Sequence, residues 1–136
     1  MHLGWAMLAA AGGFVTYFAF GSLVFVSLPR LRDDYAKHPA VYRDHDDINK
    51  FMPIGMAAMF VSMCVLALLY AMSYRDGFGV LAGARFGALI GLFVVCAFVL
   101  HNHVNLKIGW ALTWKQAVAY FVEWTLACLV IGWIYK

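Results

Sequence analysis

The stretch that decides the fold runs from Gly83 to Leu106 and reads GARFGALIGLFVVCAFVLHNHVNL. Arg85 is its single Lys, Arg, Asp or Glu, and an α-helix of about twenty mostly apolar residues spans a hydrocarbon core about 30 Å thick. Three further stretches are also long and predominantly apolar: Leu3–Leu28, Met52–Ser73 and Trp114–Tyr135. The sequence therefore predicts an all-α, polytopic membrane protein with four transmembrane helices in an antiparallel bundle.

The composition excludes a water-soluble domain. Hydrophobic residues make up 65% of the 136 residues and charged residues only 12%, whereas a soluble domain carries about 25% charged residues. The longest segment between stretches, residues 29–51, is too short to bury a core of its own. We therefore expect a single transmembrane domain over residues 1–136 that has the lipid bilayer as its solvent and does not bind nucleic acid. The first stretch has no Lys or Arg before it, so we expect a retained helix rather than a cleaved signal.

The distribution of basic residues predicts the orientation. Seven Lys and Arg residues lie in or beside the first and third loops, namely Arg30, Arg32, Lys37, Arg43, Lys50, Lys107 and Lys115. Three lie on the opposite side, namely Arg75, Arg85 and Lys136. Because short cytoplasmic loops are enriched in basic residues, we expect segment 29–51 to be a cytoplasmic loop and both termini to be non-cytoplasmic. The expected location is a bacterial inner membrane.

The first loop carries charges of both signs, with Pro39 inside it and Pro53 just after it. Pro39 predicts the start of a short helix on the membrane surface, and Pro53 fits the first turn of the second span, where its missing N–H costs least. His38, Asp44, His45, Asp46 and Asp47 could bind a divalent metal in principle. No recognised ligand spacing is present among them, so the favoured interpretation is a solvated acidic patch, with no metal predicted.

Glycines repeat every four residues at the start of the third span, at Gly83, Gly87 and Gly91. Small residues at this spacing let a second helix backbone approach closely. The partner is either a helix of the same chain or a helix of a second copy, and the sequence leaves both open.

A methionine stripe lies along the second span, at Met52, Met56, Met59 and Met63. Soft thioether ligands suit Cu(I), but adaptable packing in a core is the favoured interpretation. We predict no cofactor.

Glu123 is the most costly residue in the membrane. It lies about 13 Å along its helix from Trp114, close to the bilayer midplane. Helical spacing and matching depth predict a polar cluster around it in the cytoplasmic half of the bundle: Thr16, Tyr17, His101, Asn102, Asn105, Gln116, Tyr120 and Glu123. His103 is predicted to point away from this cluster. Intramembrane ionisable residues commonly mark functional sites, while a protonated Glu123 bonded to Tyr17 or His101 could instead fix the helix register.

No catalytic residues are predicted, because the sequence contains no nucleophile–base pair, phosphate-binding loop or haem motif. A bis-histidine haem would need two inward histidines on facing helices, and only His101 is well placed. The sequence thus disfavours an enzyme.

Two short segments carry a resemblance to known proteins: Phe20-Gly21-Ser22-Leu23 before the basic loop, and Gly87-Ala88-Leu89 in the third span. In these segments and in its layout the chain resembles small bacterial four-helix integral membrane proteins of unknown function, a resemblance that implies no activity. Its size also looks like that of small multidrug transporters. Those carry an acidic residue in their first span, where this chain has none.

Two functions are compatible with these features. The first is a small non-catalytic membrane protein that packs as a subunit of a homo-oligomer or of a larger membrane complex. The second is a small oligomeric transporter or channel for protons, cations or small amphiphiles, centred on Glu123.

Overall fold

A computed structural model describes residues 2–27, 29–43, 45–74 and 77–135. Within these residues, four helical stretches are long and apolar enough to cross a membrane: Leu3–Phe25, Asp46–Ser73, Val80–Asn105 and Trp110–Ile134. They pack against one another. The predicted all-α membrane bundle is confirmed, and the chain is an integral membrane protein.

The helices follow the predicted order but not every predicted boundary. They are α1 (Leu3–Ser27), α2 (Pro29–Ala36), α3 (His45–Ser73), α4 (Val80–Val94), α5 (His101–Asn105) and α6 (Trp110–Ile134). A π-helical segment, Val95–Leu100, joins α4 to α5 without a break. The third span therefore consists of α4, the π-helical segment and α5.

The first loop is more helical than predicted. A short helix is present, but α2 begins at Pro29 rather than at Pro39. The second span begins at His45 instead of Met52, which places Pro53 inside α3 instead of in its first turn. Asp46 and Asp47 lie in that first turn, where negative charge interacts favourably with the helix dipole. This interaction helps to explain the longer helix.

Some residues used in the predictions of orientation, helix bounds and loop chemistry lie outside the residues that the structure describes. Arg75 and Lys136, which enter the basic-residue count, lie outside the described residues, as do Leu28, Asp44 and Met1.

The fourth span, α6, lies at the centre of the bundle. It packs along α4 on one side and along α1 on the other, and α3 packs mainly along α1. Small residues line these contacts, including the buried Ala9, Ala10 and Ala127. In lipid there is no hydrophobic driving force between helices, so close backbone packing of this kind is the main source of association.

The predicted glycine face of α4 packs on α6 of the same chain. A Cβ added to Gly83 would lie 2.6 Å from the Cys128 carbonyl oxygen, and one on Gly87 would lie 2.8 Å from the Thr125 carbonyl oxygen. Gly91 approaches the Phe121 backbone in the same way. These contacts leave no room for a side chain on this face.

The C-terminal end of α3 is held to the second loop by Tyr70. Its hydroxyl donates to the Gly79 carbonyl at 3.2 Å and accepts from the Gly79 N–H at 3.1 Å. Gly79 has a φ of 141°, a conformation that side-chain-bearing residues rarely adopt. The aromatic rings of Tyr74, Phe86 and Tyr135 surround Tyr70, so aromatic packing joins α3, α4 and the end of α6 here, beside an open cavity at the second loop.

The other end of α3 stands apart from the bundle. Every residue from 46 to 58 is exposed, and no atom lies within 4 Å of a Cβ built on Gly55. The first half of α3 therefore lacks the close backbone contacts that hold α4 and α6 together.

Candidate functional site

Glu123 lies inside the bundle near the middle of α6. By helix rise it is about 20 Å from Trp110 and about 16 Å from Ile134 along the axis. Its side chain is 7% exposed. The predicted burial of Glu123 in the protein interior thus holds, and the carboxyl does not face lipid.

Two residues of α1 form the wall opposite the carboxyl. Gly21 presents its bare Cα to Oε1 of Glu123, which fills the space that a β-carbon would need. Tyr17, buried one turn earlier on α1, lies within reach of the Glu123 carboxyl and is positioned to donate a hydrogen bond to it. Tyr17 also meets Trp124 edge-on, with 5.3 Å between ring centroids. The carboxyl is therefore fixed between α1 and α6.

A second group of polar side chains lies on α6 toward the first loop. The Gln116 side-chain amide donates to the hydroxyls of Tyr35 and Tyr42, at 3.1 Å and 2.9 Å. The two phenol rings meet edge-on at 4.6 Å. Burial raises the pKa of Tyr35, so this phenol remains neutral at ordinary pH. Gln116 thus ties the first loop to the start of α6.

Tyr120 connects these two groups. It lies one helical turn from Glu123 and about one turn from Gln116, on the same face of α6. It is close enough to interact electrostatically with Glu123, Tyr35 and Tyr42. We call Tyr17, Tyr35, Tyr42, Gln116, Tyr120 and Glu123 the tyrosine–carboxyl cluster.

Asp34 and two lysines that form salt bridges with it lie beside this cluster at the protein surface. Asp34 accepts hydrogen bonds from Lys115 of α6 and from Lys37, the latter at 2.8 Å. The hydrogen bond from Lys115 is the main cause, and that from Lys37 the second, of an Asp34 pKa lowered to about 2. Asp34 is therefore ionised, and it anchors α2 to α6 next to Tyr35.

The opposite direction along the bundle is apolar. Beyond Glu123, the residues of α6 that face the core are Ala127, Cys128 and Ile131, each fully buried. Gly13 of α1 packs on Ile131. The cluster consequently extends from Glu123 toward the first-loop side, while close apolar packing fills the other half.

The structure brings together four of the eight residues predicted to form the polar cluster: Tyr17, Gln116, Tyr120 and Glu123. Thr16 instead donates to the Gly12 carbonyl of its own helix at 2.9 Å. His101, Asn102 and Asn105 are exposed, and Asn105 bonds only the His101 carbonyl, at 3.3 Å. The predicted alternative partner of Glu123, His101, is thus replaced by Tyr17 alone.

The π-helical segment explains why the third span was assigned the wrong face. The prediction used 3.6 residues per turn throughout, but a π-helix bonds residue i to i+5. Each residue added to a turn rotates everything after it by about 100°. Residues 101–105 follow this segment, so the side chains expected inside point outward.

The same rotation turns His103 toward α6. Its Nδ1 lies 2.8 Å from the hydroxyl of Thr113, which is fully buried. Thr113 Oγ1 also bonds the Gly109 carbonyl at 3.3 Å. The imidazole also lies over Trp110, at 3.8 Å between ring centroids. Together these contacts close the third loop.

Sequence reasoning missed three members of the site, namely Gly21, Tyr35 and Tyr42. The signal for the tyrosines was weak, because both precede the second span in a segment that reads as solvated. Gly21 lies on α1 with the small residues Ala9 and Gly13, which permit a close helix contact, but such a pattern does not identify the partner.

Comparisons with known proteins give no family. No family model, no curated protein and no solved structure matches this chain. Among the residues that the structure describes, no three His, Cys, Asp or Glu side chains come together as metal ligands. The function is therefore argued from the chain's own geometry.

Proposed function

We propose that this chain is a small non-catalytic integral membrane protein that serves as a helix-packing subunit of a homo-oligomer or of a larger membrane complex. The observation that carries the proposal is that every residue from 46 to 58, at the start of α3, is exposed. A helix in lipid is held in place by close packing and interhelical hydrogen bonds. This half of α3 has few such contacts within the chain, so a second helix is expected to supply them.

The small residues of this segment support such a contact. Gly55, Ala57 and Ala58 lie together within the second span and are exposed. Glycine and alanine let another backbone approach closely. The glycine face of α4 is already occupied by α6, and the start of α3 is the surface that we propose for a partner.

Two glycine substitutions test the proposal as a matched pair. Gly55→Leu adds a side chain where no atom lies within 4 Å, whereas Gly87→Leu adds one against the α6 backbone. We expect Gly55→Leu to leave the thermal stability of the isolated chain unchanged but to reduce the assembly extracted from the native membrane in mild detergent. Gly87→Leu should do the reverse.

The measurement is the mass of the extracted particle by light scattering, beside a thermal unfolding curve. A parent chain that runs as a lone 15.2 kDa polypeptide from its native membrane, unaffected by Gly55→Leu, would contradict the proposal.

A second candidate is a small transporter or channel for protons, cations or small amphiphiles. Burial of Glu123 near the midplane favours it, because intramembrane carboxyls commonly mark transport pathways. Glu123→Gln preserves shape and hydrogen-bonding capacity but cannot exchange a proton. Loss of ion flux in vesicles with retained folding would support this candidate; unchanged flux, or no flux in the parent, would exclude it.

A further inference from the structure

We infer that Glu123 is a proton-binding site that exchanges protons with water on the first-loop side of the membrane only, through the hydroxyls of the tyrosine–carboxyl cluster. This goes beyond the helix-packing function, since such exchange needs neither an oligomer nor net transport.

The Glu123 carboxyl is buried without a cationic partner among the described residues. Glu123 is 7% exposed and lies near the membrane midplane. A carboxylate there is costly unless it is paired, and the bond to Tyr17 compensates only part of that cost. The described residues place no Lys, Arg or His against it. The hydroxyl of Tyr17 lies within reach of it, Tyr120 lies one helical turn away on the same face of α6, and Tyr35 of α2 follows in that direction. Proton uptake is thus the available way to neutralise it.

The surroundings of the Glu123 carboxyl are asymmetric, with polar side chains toward the first loop and apolar side chains in the other direction. Toward the first loop, Tyr120 is followed by Tyr35, Tyr42 and the Gln116 amide. This side spans about 10 Å along α6 from Glu123 to Gln116. Directly beside it lie the ionised Asp34 and its lysine partners at the protein surface. The hydroxyls of Tyr120, Tyr35 and Tyr42 lie on this side of the carboxyl, and they are the groups through which the proton is proposed to move.

The other side has no comparable sequence of groups. From Glu123 to the end of α6 is about 16 Å, and Ala127, Cys128 and Ile131 fill it without exposure. Tyr70, a buried phenol toward that end, is engaged with Gly79 on both its donor and acceptor sides. The described packing therefore isolates the carboxyl from that face.

The proton balance is simple. One proton enters from water at the first-loop side, and one arrives on the Glu123 carboxylate, giving a neutral carboxylic acid. Each tyrosine hydroxyl on the way accepts one proton and passes one on, and so ends as it began. Tyr17, on the far side of the carboxyl, holds its orientation but lies outside the route.

Carbodiimide labelling tests the direction of access. A membrane-permeant dialkylcarbodiimide adds to a protonated carboxyl: the acid proton goes to one nitrogen, the carboxyl oxygen to the central carbon, and nothing leaves. The chain carrying His45→Cys is placed in phosphatidylcholine vesicles with different pH inside and outside. An impermeant thiol reagent first tags the molecules whose first loop faces outward, and intact mass spectrometry then reads the carbodiimide adduct in tagged and untagged molecules separately.

We expect the adduct to follow the external pH in tagged molecules and the internal pH in untagged ones. Above the pKa of the carboxyl it should fall about tenfold for each pH unit on the first-loop side. The Glu123→Gln variant defines the background from other carboxyls. In Tyr120→Phe the adduct should no longer follow the pH of the first-loop side. In the matched control Tyr74→Phe, at the end of the bundle away from the first loop, it should still do so.

An adduct that follows the pH of the opposite side, or of both sides equally, would overturn the inference. If no adduct forms with both sides acidic, the infrared carboxylic band lost in Glu123→Gln is measured in the same vesicles. A band that disappears at alkaline pH supports exchange, and a band that no pH change removes overturns it. A lone monomer in the assembly experiment would leave this result intact, so the two failures are distinguishable.

Discussion

Oε1 of Glu123 fills the space that a β-carbon on Gly21 would occupy. A small residue on one helix and an intramembrane carboxyl on another thus form a single contact. Its consequence is that the carboxyl can lie deep between α1 and α6, where Tyr17 reaches it. Any side chain at position 21 would force the carboxyl to move.

The Gly21 contact predicts a specific loss of stability. We expect Gly21→Ala to destabilise the bundle by about 1–3 kcal/mol through overpacking. This loss outweighs the gain of about 1 kcal/mol that alanine brings to a helix interior. The measurement is thermal or denaturant unfolding in detergent.

Gly4→Ala is the control for Gly21→Ala, since it lies on the same helix with no atom within 4 Å of its Cβ. Equal behaviour of the two variants would mean that Glu123 does not lie against Gly21.

The third loop depends on the bond between His103 and Thr113. Thr113→Val keeps the shape of a fully buried side chain but removes the hydrogen-bond partner of His103. We expect a loss of about 0.5–1.5 kcal/mol in unfolding free energy. Ser62→Ala is the matched control, because Ser62 is bonded only to its own helix, at the Ala58 carbonyl. A Thr113→Val chain as stable as the control would show that the closure of this loop does not rest on the bond.

The attachment of α2 to α6 should depend on pH through Asp34. Lys115 and Lys37 lower the pKa of Asp34 to about 2. A lowered pKa in the folded state means that this stabilisation is present above the ordinary value near 4 and is lost as the pH falls through about 2.

Asp34→Asn should therefore reduce stability at neutral pH, and its difference from the parent should vanish below about pH 2. Unfolding curves over this range check the expectation, with the exposed neighbour Asp33→Asn as the control. A difference that persists at the lowest pH would exclude the carboxylate as its cause.

The orientation stays a prediction from charge. The excess of basic residues in the first and third loops predicts that position 45 is cytoplasmic and that the termini are outside. A single cysteine at position 45, and separately at position 136, is exposed to an impermeant thiol reagent in intact cells. We expect labelling at 136 and protection at 45; the opposite pattern would reverse the topology.

The number of long helices and the all-helical class could be predicted, because a stretch of about twenty apolar residues has few alternatives to a helix in a membrane. The burial of Glu123 followed from the cost of exposing a carboxylate to lipid. The glycine face of α4 was also readable, though not its partner, since close packing on α6 and on a second copy have the same sequence pattern.

The faces of the third span could not be predicted from helical periodicity. The π-helical segment Val95–Leu100 has no distinctive residues, yet it rotates His101 outward and His103 inward. The contributions of Tyr35 and Tyr42 depend on the fold of the first loop against α6. Such long-range contacts leave no periodic signal.

We expect the contact between the Tyr17 hydroxyl and the Glu123 carboxyl to hold α1 to α6 within one chain. A double-mutant cycle with Tyr17→Phe, Glu123→Met and the combined variant tests this contact by denaturant unfolding in detergent, because methionine is of similar size but removes the carboxyl. Residues in one hydrogen-bonded contact couple by about 0.5–3 kcal/mol, so we predict that the double variant loses less stability than the sum of the two single variants. Strictly additive losses would show that the two side chains do not interact and would contradict the account.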